Sequence, residues 1–460
     1  MERELVGLLG LVLLFVLIML RTPVALAMLI TALVGTWVLS LVSPFIRFIP
    51  YLQQFKTALW NAVANYELSV VPLFILMGFL AAETGLSRDL FQGLSALTRK
   101  MKGGVAMASV LACAGFGAVS GSSVATASTM SRVALPELRK LKYHEGLSTG
   151  VLAAGGTLGI LIPPSVALVL YAIIVEASII DMFQAAIVPG LIAVVFFLIV
   201  IRIRIAHNPE LAPALAPLSD AERCQSLRRL LPVGLIFGSI ILGLGMGIFT
   251  PTPAAAVGVF LILVYGALRR CFSAEGLSLA GLRRALLATA KTASMIYLIL
   301  FAADILKGFF ARSNLPAALS EWAALSSMNP YMILLFMLVI LIVLGCFMES
   351  LSMILVVVPF FWPVLVQLNG GDWVSAEAAA FGMTTTELQI WFGILALIVV
   401  ELGLITPPVG LNVFVIKSFS PDTPLVTIFR GVLPFFSIEL VRVGLLLLLP
   451  GLALFMTRIM

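Results

Sequence analysis

Apolar runs long enough to cross a bilayer recur from one end of this chain to the other. A membrane-spanning helix needs about 20 predominantly apolar residues. The chain has 460 residues, of which 61% are hydrophobic and only 11% are charged. A soluble domain of this length would need far more charge to cover its surface. The sequence therefore predicts an all-α integral membrane protein, surrounded by lipid, with no room for a sizeable soluble domain.

Charge and motif content exclude several other classes of protein. The net charge of +6 is spread over short loops, which is typical of membrane topology and gives little support to nucleic-acid binding. No Gly-x-x-x-x-Gly-Lys phosphate loop occurs, and the two histidines, His144 and His207, fall in expected cytoplasmic loops. The four cysteines have no metal-type spacing. We therefore expect no enzyme, no catalytic residue and no resident cofactor.

The apolar runs divide the chain into two halves with the same order of elements. The first half is expected at 1–203, with spans at 5–20, 23–41, 68–84 and 178–201, a hairpin at 103–136 and a broken span at 146–172. A polar, Pro-rich cytoplasmic loop is expected at 204–231. The second half is expected at 232–460, with spans at 232–248, 252–268, 285–306 and 434–456, a hairpin at 331–366 and a broken span at 389–417.

Basic residues set the expected direction of the two hairpins. Clusters at 99–102 and 139–142 flank the first hairpin, and both should be cytoplasmic. The first hairpin should therefore enter the membrane and return to the same side. The loop after the second hairpin has no basic residue, so that hairpin should enter from outside. Two halves of opposite orientation with discontinuous helices are typical of secondary transporters, whose ligand sites lie near the midplane of the bilayer.

Each expected broken span contains a pair of prolines, Pro163-Pro164 in one half and Pro407-Pro408 in the other. A Pro-Pro pair removes two amide donors and stops a helix, which frees carbonyl oxygens and exposes helix ends. One such pair alone would be a packing kink more often than a site. Two pairs in mirrored positions, each beside a hairpin, favour an ion or substrate site.

Polar residues also mark the two hairpins and the second broken span. The cluster at 120–123 indicates either close helix packing through small residues or a hydroxyl-rich tip that binds a cation or substrate. Glu349 stands at the matching point of the second hairpin, where burying an acid costs about 2.5–3.5 kcal/mol, so it should have a partner or a function. Glu401 is a candidate for capping helix ends, pairing with a lysine or binding an ion. Asn412 is a candidate for binding substrate or sodium.

In combination, these motifs resemble the large membrane subunit (M subunit, DctM-like) of tripartite ATP-independent periplasmic (TRAP) transporters. The resemblance rests on 120–123, 159–165 and 405–412, with 188–190 and 391–393 as further matching segments. It implies an inverted-repeat, elevator-type fold with two re-entrant hairpins and two broken helices in a bacterial inner membrane. It also implies sodium-coupled uptake of an organic acid, namely a dicarboxylate, sugar acid or keto acid.

The resemblance further implies two partners, a small four-helix membrane subunit expected as a separate chain and a periplasmic substrate-binding protein. The alternative is a stand-alone sodium- or proton-coupled di- or tricarboxylate carrier, which needs neither. By resemblance, a first sodium site would involve Ser120, Ser122, Ser123, Gly159 and Pro163. A second sodium site would involve Gly345, Glu349, Thr406, Pro407, Gly410 and Asn412. Substrate contacts would come from Ser122, Thr126, Pro164, Ser165, Pro408 and Asn412. Members often carry an acidic residue just after the serine cluster, where Ala125-Thr126 stands here.

Overall fold

A computed structural model of the chain describes residues 3–215, 218–272, 276–326 and 328–459. Those residues form helices, with no strand among them. The α-helices are α1 (Arg3–Met19), α2 (Val24–Val42), α3 (Phe48–Val63), α4 (Val70–Glu83), α5 (Leu86–Thr98), α6 (Gly104–Ser120), α7 (Ser123–Lys140), α8 (Glu145–Leu161), α9 (Val166–Val175), α10 (Ile179–His207), α11 (Asp220–Arg228), α12 (Leu230–Gly245), α13 (Pro251–Phe272), α14 (Leu279–Ser313), α15 (Leu315–Leu325), α16 (Pro330–Gly345), α17 (Ser350–Asn369), α18 (Thr385–Gly403), α19 (Leu411–Phe419), α20 (Leu425–Leu448) and α21 (Gly451–Ile459).

Among the described residues, eight helices are long and apolar enough to cross a membrane, or up to ten if each bent helix pair is counted as one span. One bent pair is α8 and α9, which meet at 44°. Paired helices α6–α7 and α16–α17 occupy the two regions where hairpins were expected. The expected fold class, a helical membrane transporter with two hairpins and two interrupted helices, is confirmed.

The helix breaks follow from local backbone chemistry. Gly121, with φ of +56°, ends α6, and Ser122 then adopts an extended conformation that begins α7. Helix α8 ends before Pro163-Pro164, and α9 begins once Ser165 accepts a hydrogen bond from the Leu168 amide at 3.5 Å. Both Pro-Pro peptide bonds are cis. These breaks place the ends of four short helices inside the packed body of the protein.

Several helices occur where the sequence predicted none. Helices α5 and α15 each stand just before a hairpin, and α3 precedes α4 at an angle of 57°. The loop expected at 204–231 also contains α11, and α12 begins within it, while residues 216–217 of that loop lie outside the described residues. By themselves these helices are too short to cross a bilayer, because α3, α5, α11 and α15 have 16, 13, 9 and 11 residues and a span needs about 20.

The helices pack into two groups. In the first group, α14 contacts α2, α3 and α4, and α4 contacts α13. In the second group, α8 packs against α6, α7 and α20, while α18 packs against α16 and α17. The halves interlock within this second group, because α7 of one half contacts α19 of the other, and α17 contacts α9. Helices α5 and α15 lie between the two groups, against α6 and α17 respectively.

Paired glycines allow each hairpin to approach its broken helix at the same point. A Cβ added to Gly117 of α6 would lie 2.4 Å from the Gly159 Cα of α8. In the other half, a Cβ added to Gly403 of α18 would lie 2.5 Å from the Gly345 Cα of α16. No side chain fits at such distances, so the backbones themselves are in contact. The repeated motif is therefore repeated in packing as well as in sequence.

Candidate binding site at the hairpin tips

The first hairpin tip gathers hydroxyl groups over a glycine surface. Ser120 Oγ lies 2.6 Å from Thr126 Oγ1 and 3.3 Å from the Ser122 carbonyl oxygen. A Cβ added to Gly159 would lie 2.5 Å from Thr126 Oγ1 and 3.0 Å from that same carbonyl oxygen. Four of the predicted residues thus form one oxygen-rich group, and Gly159 leaves the room for it.

The first Pro-Pro pair faces a different environment. Pro163 and Pro164 line an apolar cavity of about 430 Å³ together with side chains of α10 and α12. Ser165 is fully buried, and its hydroxyl caps α9. Of these three predicted residues, Ser165 lies next to the hairpin tip, since a Cβ added to Gly121 would lie 3.4 Å from the Ser165 Cα.

The second hairpin and the second Pro-Pro pair are also in contact. Cys346 Sγ donates to the Pro407 carbonyl oxygen at 3.4 Å, and Thr406 Oγ1 donates to the Leu402 carbonyl oxygen at 2.6 Å. Gly410, with φ of +63°, precedes α19. Glu349 precedes α17 and is partly buried, and within the described residues its carboxylate makes no hydrogen bond or ion pair. Glu349 therefore places a carboxylate without a bonding partner, among the described residues, at the tip of the second hairpin.

Asn412 brings the two predicted sodium sites together. This fully buried residue belongs to α19, yet its Nδ2 donates to the Ala153 carbonyl oxygen of α8 at 3.5 Å. A Cβ added to Gly156 would lie 3.2 Å from both Asn412 Nδ2 and the Ser123 carbonyl oxygen, so these atoms share one small space. Asn412 Oδ1 is buried and has no hydrogen-bond partner among the described residues. A buried acceptor of this kind is rare unless something else binds it.

Glu401 is the point at which the two hairpins meet. Its Oε2 accepts a hydrogen bond from Ser123 at 2.6 Å, and its Oε1 accepts one from Ser350 at 2.7 Å. These serines are the first residues of α7 and α17, the second helices of the two hairpins. Only 2% of Glu401 is exposed. One carboxylate on α18 therefore holds both hairpin tips, and Ser350 is a site residue that the sequence analysis missed.

A buried ion pair nearby was also missed. Glu439 and Arg442 of α20 are 3% and 2% exposed and are bonded to each other, while Arg442 Nη1 donates to the Pro189 carbonyl oxygen at 3.0 Å. Within the part of the chain that the structure describes, Glu439 Oε1 and Arg442 Nε have no hydrogen-bond partner. The signal was present in the sequence, because two charges three residues apart inside an apolar span are expected to pair.

The donor set suits a hard monovalent cation. Within the described residues, no group of three or more His, Cys, Asp or Glu side chains could hold a metal ion. Besides the carboxylates of Glu349 and Glu401, the tips offer hydroxyl, amide and main-chain carbonyl oxygens, from Ser122, Thr126 and Asn412. Oxygen atoms are the ligands that hard cations prefer.

Comparisons with known proteins agree with this architecture. Residues 11–452 match the family described as "Tripartite ATP-independent periplasmic transporter, DctM component". The C4-dicarboxylate TRAP transporter large permease protein DctM of Pseudomonas aeruginosa is 34% identical over 397 residues, covering 86% of this chain and 87% of that protein. The sialic acid TRAP transporter large permease protein SiaM of Vibrio cholerae is 30% identical over 374 residues, covering 81% and 82%. The YdaH transporter of Alcanivorax borkumensis has a similar fold, with a TM-score of 0.58 at 15% identity over 87% of this chain and 89% of that one.

Proposed function

Because the chain belongs to the DctM family of tripartite ATP-independent periplasmic transporters, we propose that it takes up an organic acid by symport with sodium. It is a multi-pass protein of the bacterial inner membrane, and its relatives are transporter permeases rather than enzymes. The relatives named above for C4-dicarboxylate and sialic acid both take carboxylic acids. Dicarboxylates and sugar acids are therefore the substrate classes to test first.

Sodium coupling is supported most directly by Asn412, whose buried Oδ1 has no hydrogen-bond partner among the described residues. It lies on the half-helix that follows the second Pro-Pro pair, close to the main chain of the first hairpin. A buried polar atom with no partner costs about 1–3 kcal/mol. A sodium ion bound there would remove that cost and would join the two halves, which gives the ion a direct effect on the closure of the substrate site.

The partners and the movement belong to the same proposal. A periplasmic binding protein delivers the substrate, and a small four-helix membrane subunit supports the large subunit. The helix group that contains both hairpins and both Pro-Pro breaks moves across the membrane as an elevator against the group built on α14. The packing supports this division, because the polar atoms of the site lie within the group that contains the hairpins.

Uptake into proteoliposomes tests the proposal. The protein would be reconstituted with its small subunit, and labelled succinate or N-acetylneuraminate would be supplied with the cognate binding protein. An inward sodium gradient should drive accumulation, whereas potassium at equal ionic strength should not. Asn412→Ala should raise the half-saturating sodium concentration about tenfold or more, because losing one ligand worth about 1.4 kcal/mol changes affinity tenfold.

Asn65→Ala is the matched control, since it makes the same chemical change at an exposed position between α3 and α4. It should leave the sodium dependence unchanged. Accumulation that is equal in sodium and potassium would refute sodium coupling. Uptake that proceeds fully without the binding protein would instead favour a stand-alone carrier.

A further inference from the structure

One face of α7 forms a continuous strip from the first hairpin tip to the end of the helix. Residues three or four apart lie on the same face of a helix. Six accessible positions follow this spacing, namely Ser122, Ala125, Thr129, Arg132, Pro136 and Lys140. The first three are partly buried and the last three are exposed. Access therefore widens from the serine cluster toward the basic end of α7, which is the end expected in the cytoplasm.

The corresponding part of the second hairpin is closed. Residues 350–358 of α17 are all buried, so no accessible strip leads away from Ser350 on that side. The second helices of the two hairpins thus differ in how much of their surface is accessible, although the hairpins pack in the same way. The structure is open toward the cytoplasmic end of α7 and closed along α17.

The part of this strip from Thr129 to Lys140 lines a cavity of about 900 Å³ between α5, α7 and α11. Six basic and three acidic side chains line this cavity. Four of the basic residues already have a partner. Asp89 accepts from Arg269 and lies 3.6 Å from Arg229, and Arg88 and Arg99 also make contacts. An excess of positive charge in a cleft concentrates anions there.

Arg132 is the basic residue of this cavity that is best placed to bind an anion. Its guanidinium carbon lies 5.9 Å from the ring centre of Phe419, at the end of α19, and its side chain is exposed. Across the described residues, Arg132 makes no ion pair or hydrogen bond through its side chain. Stacking on a ring leaves the edge of the guanidinium available, and that edge matches the two oxygens of a carboxylate.

We propose that the cavity between α5, α7 and α11 is the cytoplasmic vestibule through which a carboxylate substrate leaves, and that Arg132 binds the carboxylate there. The inference rests on the proposed uptake of an organic acid and assigns it an exit path. Thr129, one helical turn from Arg132, connects this position to the serine cluster. The order of contacts on release is thus hydroxyl groups first and the guanidinium second.

Thiol labelling tests the vestibule without requiring transport. The four free cysteines would be replaced, and Val133→Cys, which lines the cavity, would supply a single thiol. The purified protein in lipid-free detergent would react with an anionic sulfonatoethyl or a cationic trimethylammonioethyl methanethiosulfonate. For this single thiol, the rate with the anionic reagent divided by the rate with the cationic reagent should exceed the same ratio for a small free thiol in solution. Arg132→Gln should lower the ratio about fivefold or more, because a unit charge has been removed from the same cavity.

Arg283→Gln is the matched control, since it removes the same charge from an exposed position on α14 outside the cavity. It should leave the ratio unchanged, and Arg132→Lys should preserve it. Succinate should slow the anionic reaction in the parent and not in Arg132→Gln. A ratio that Arg132→Gln leaves unchanged would overturn the proposal, as would protection by added anionic lipid but not by succinate.

The test separates failure of the vestibule from failure of the proposed function. If the ratio shifts and succinate protects, but sodium drives no uptake, the coupling is wrong and the vestibule stands. If sodium-driven uptake persists at the parental rate in Arg132→Gln, and the labelling ratio does not change, the vestibule is wrong and the transport function stands.

Discussion

Replacing Glu401 with alanine removes the acceptor of two buried hydroxyl groups on two different hairpins. Ser123 donates to one carboxylate oxygen at 2.6 Å and Ser350 to the other at 2.7 Å. A hydrogen bond to a charged group contributes about 1.5–3 kcal/mol net, so the two bonds together are worth about 3–6 kcal/mol. Relief of the cost of burying the acid offsets part of this value. We expect Glu401→Ala to lower the free energy of unfolding by about 3–5 kcal/mol.

Double-mutant cycles measure each bond separately. Unfolding would be followed in mixed micelles as the fraction of denaturing detergent rises, for Glu401→Ala, Ser123→Ala, Ser350→Ala and the two double variants. The coupling energy for each Glu–Ser pair should be about 1.5–3 kcal/mol, since one alanine already removes the bond. Glu401→Gln should fall between the parent and Glu401→Ala, because the amide retains a single carbonyl acceptor.

Ser109→Ala provides the reference for an uncoupled change. Its buried hydroxyl donates to the Val105 carbonyl oxygen of its own helix, at 2.9 Å, and has no part in the Glu401 contact. Changes at independent sites add to within about 0.3–0.5 kcal/mol. A coupling of less than about 0.5 kcal/mol for either Ser123 or Ser350 would refute the conclusion that Glu401 joins the two hairpins.

Two further changes test the packing. Gly403→Ala should lower the free energy of unfolding by about 1–3 kcal/mol, because its Cβ would lie 2.5 Å from the Gly345 Cα; thermal unfolding in detergent measures this. Arg442→Met should cost about 3–5 kcal/mol, because it leaves Glu439 buried without its ion partner, and adding Glu439→Gln should recover part of the loss in the same assay.

Each of these changes has its own control. Gly238→Ala, inside α12, meets nothing within 4 Å, so it should be neutral or stabilise by up to about 1 kcal/mol through helix propensity. Equal effects at Gly238 and Gly403 would contradict the close approach of the two backbones. For the ion pair, a double variant that is less stable than Arg442→Met alone would show that Glu439 does not depend on Arg442.

Hydropathy and proline chemistry predicted most of the membrane helices and the breaks in the two broken spans. Both signals are local, because a run of apolar residues or a Pro-Pro pair acts on the segment that contains it. Helices α5 and α15 carry no such signal. They have only 13 and 11 residues, and each is stabilised by packing against α6 or α17, which lie beside them only in the folded protein.

The buried polar residues at the hairpin tips could be predicted only in part, for the same reason. Ser123 and Asn412 could be selected because each belongs to a recognisable motif. The bond from Ser123 to Glu401 joins residues 278 positions apart, and it depends on the rotation of two helices about their axes. No pattern in the sequence specifies that rotation, so Glu401 remained a residue with several candidate roles, and Ser350 was not selected at all.

The two halves share their backbone plan, yet their broken helices carry different polar groups at the centre. When the two Pro-Pro motifs are aligned, Thr157 stands at the position of Glu401 and Leu168 at the position of Asn412. The second broken helix therefore supplies the carboxylate and the amide, and both reach into the first half. A movement that separated the hairpins would have to break the bonds of Glu401. The hairpins and broken helices should thus move together, as one body.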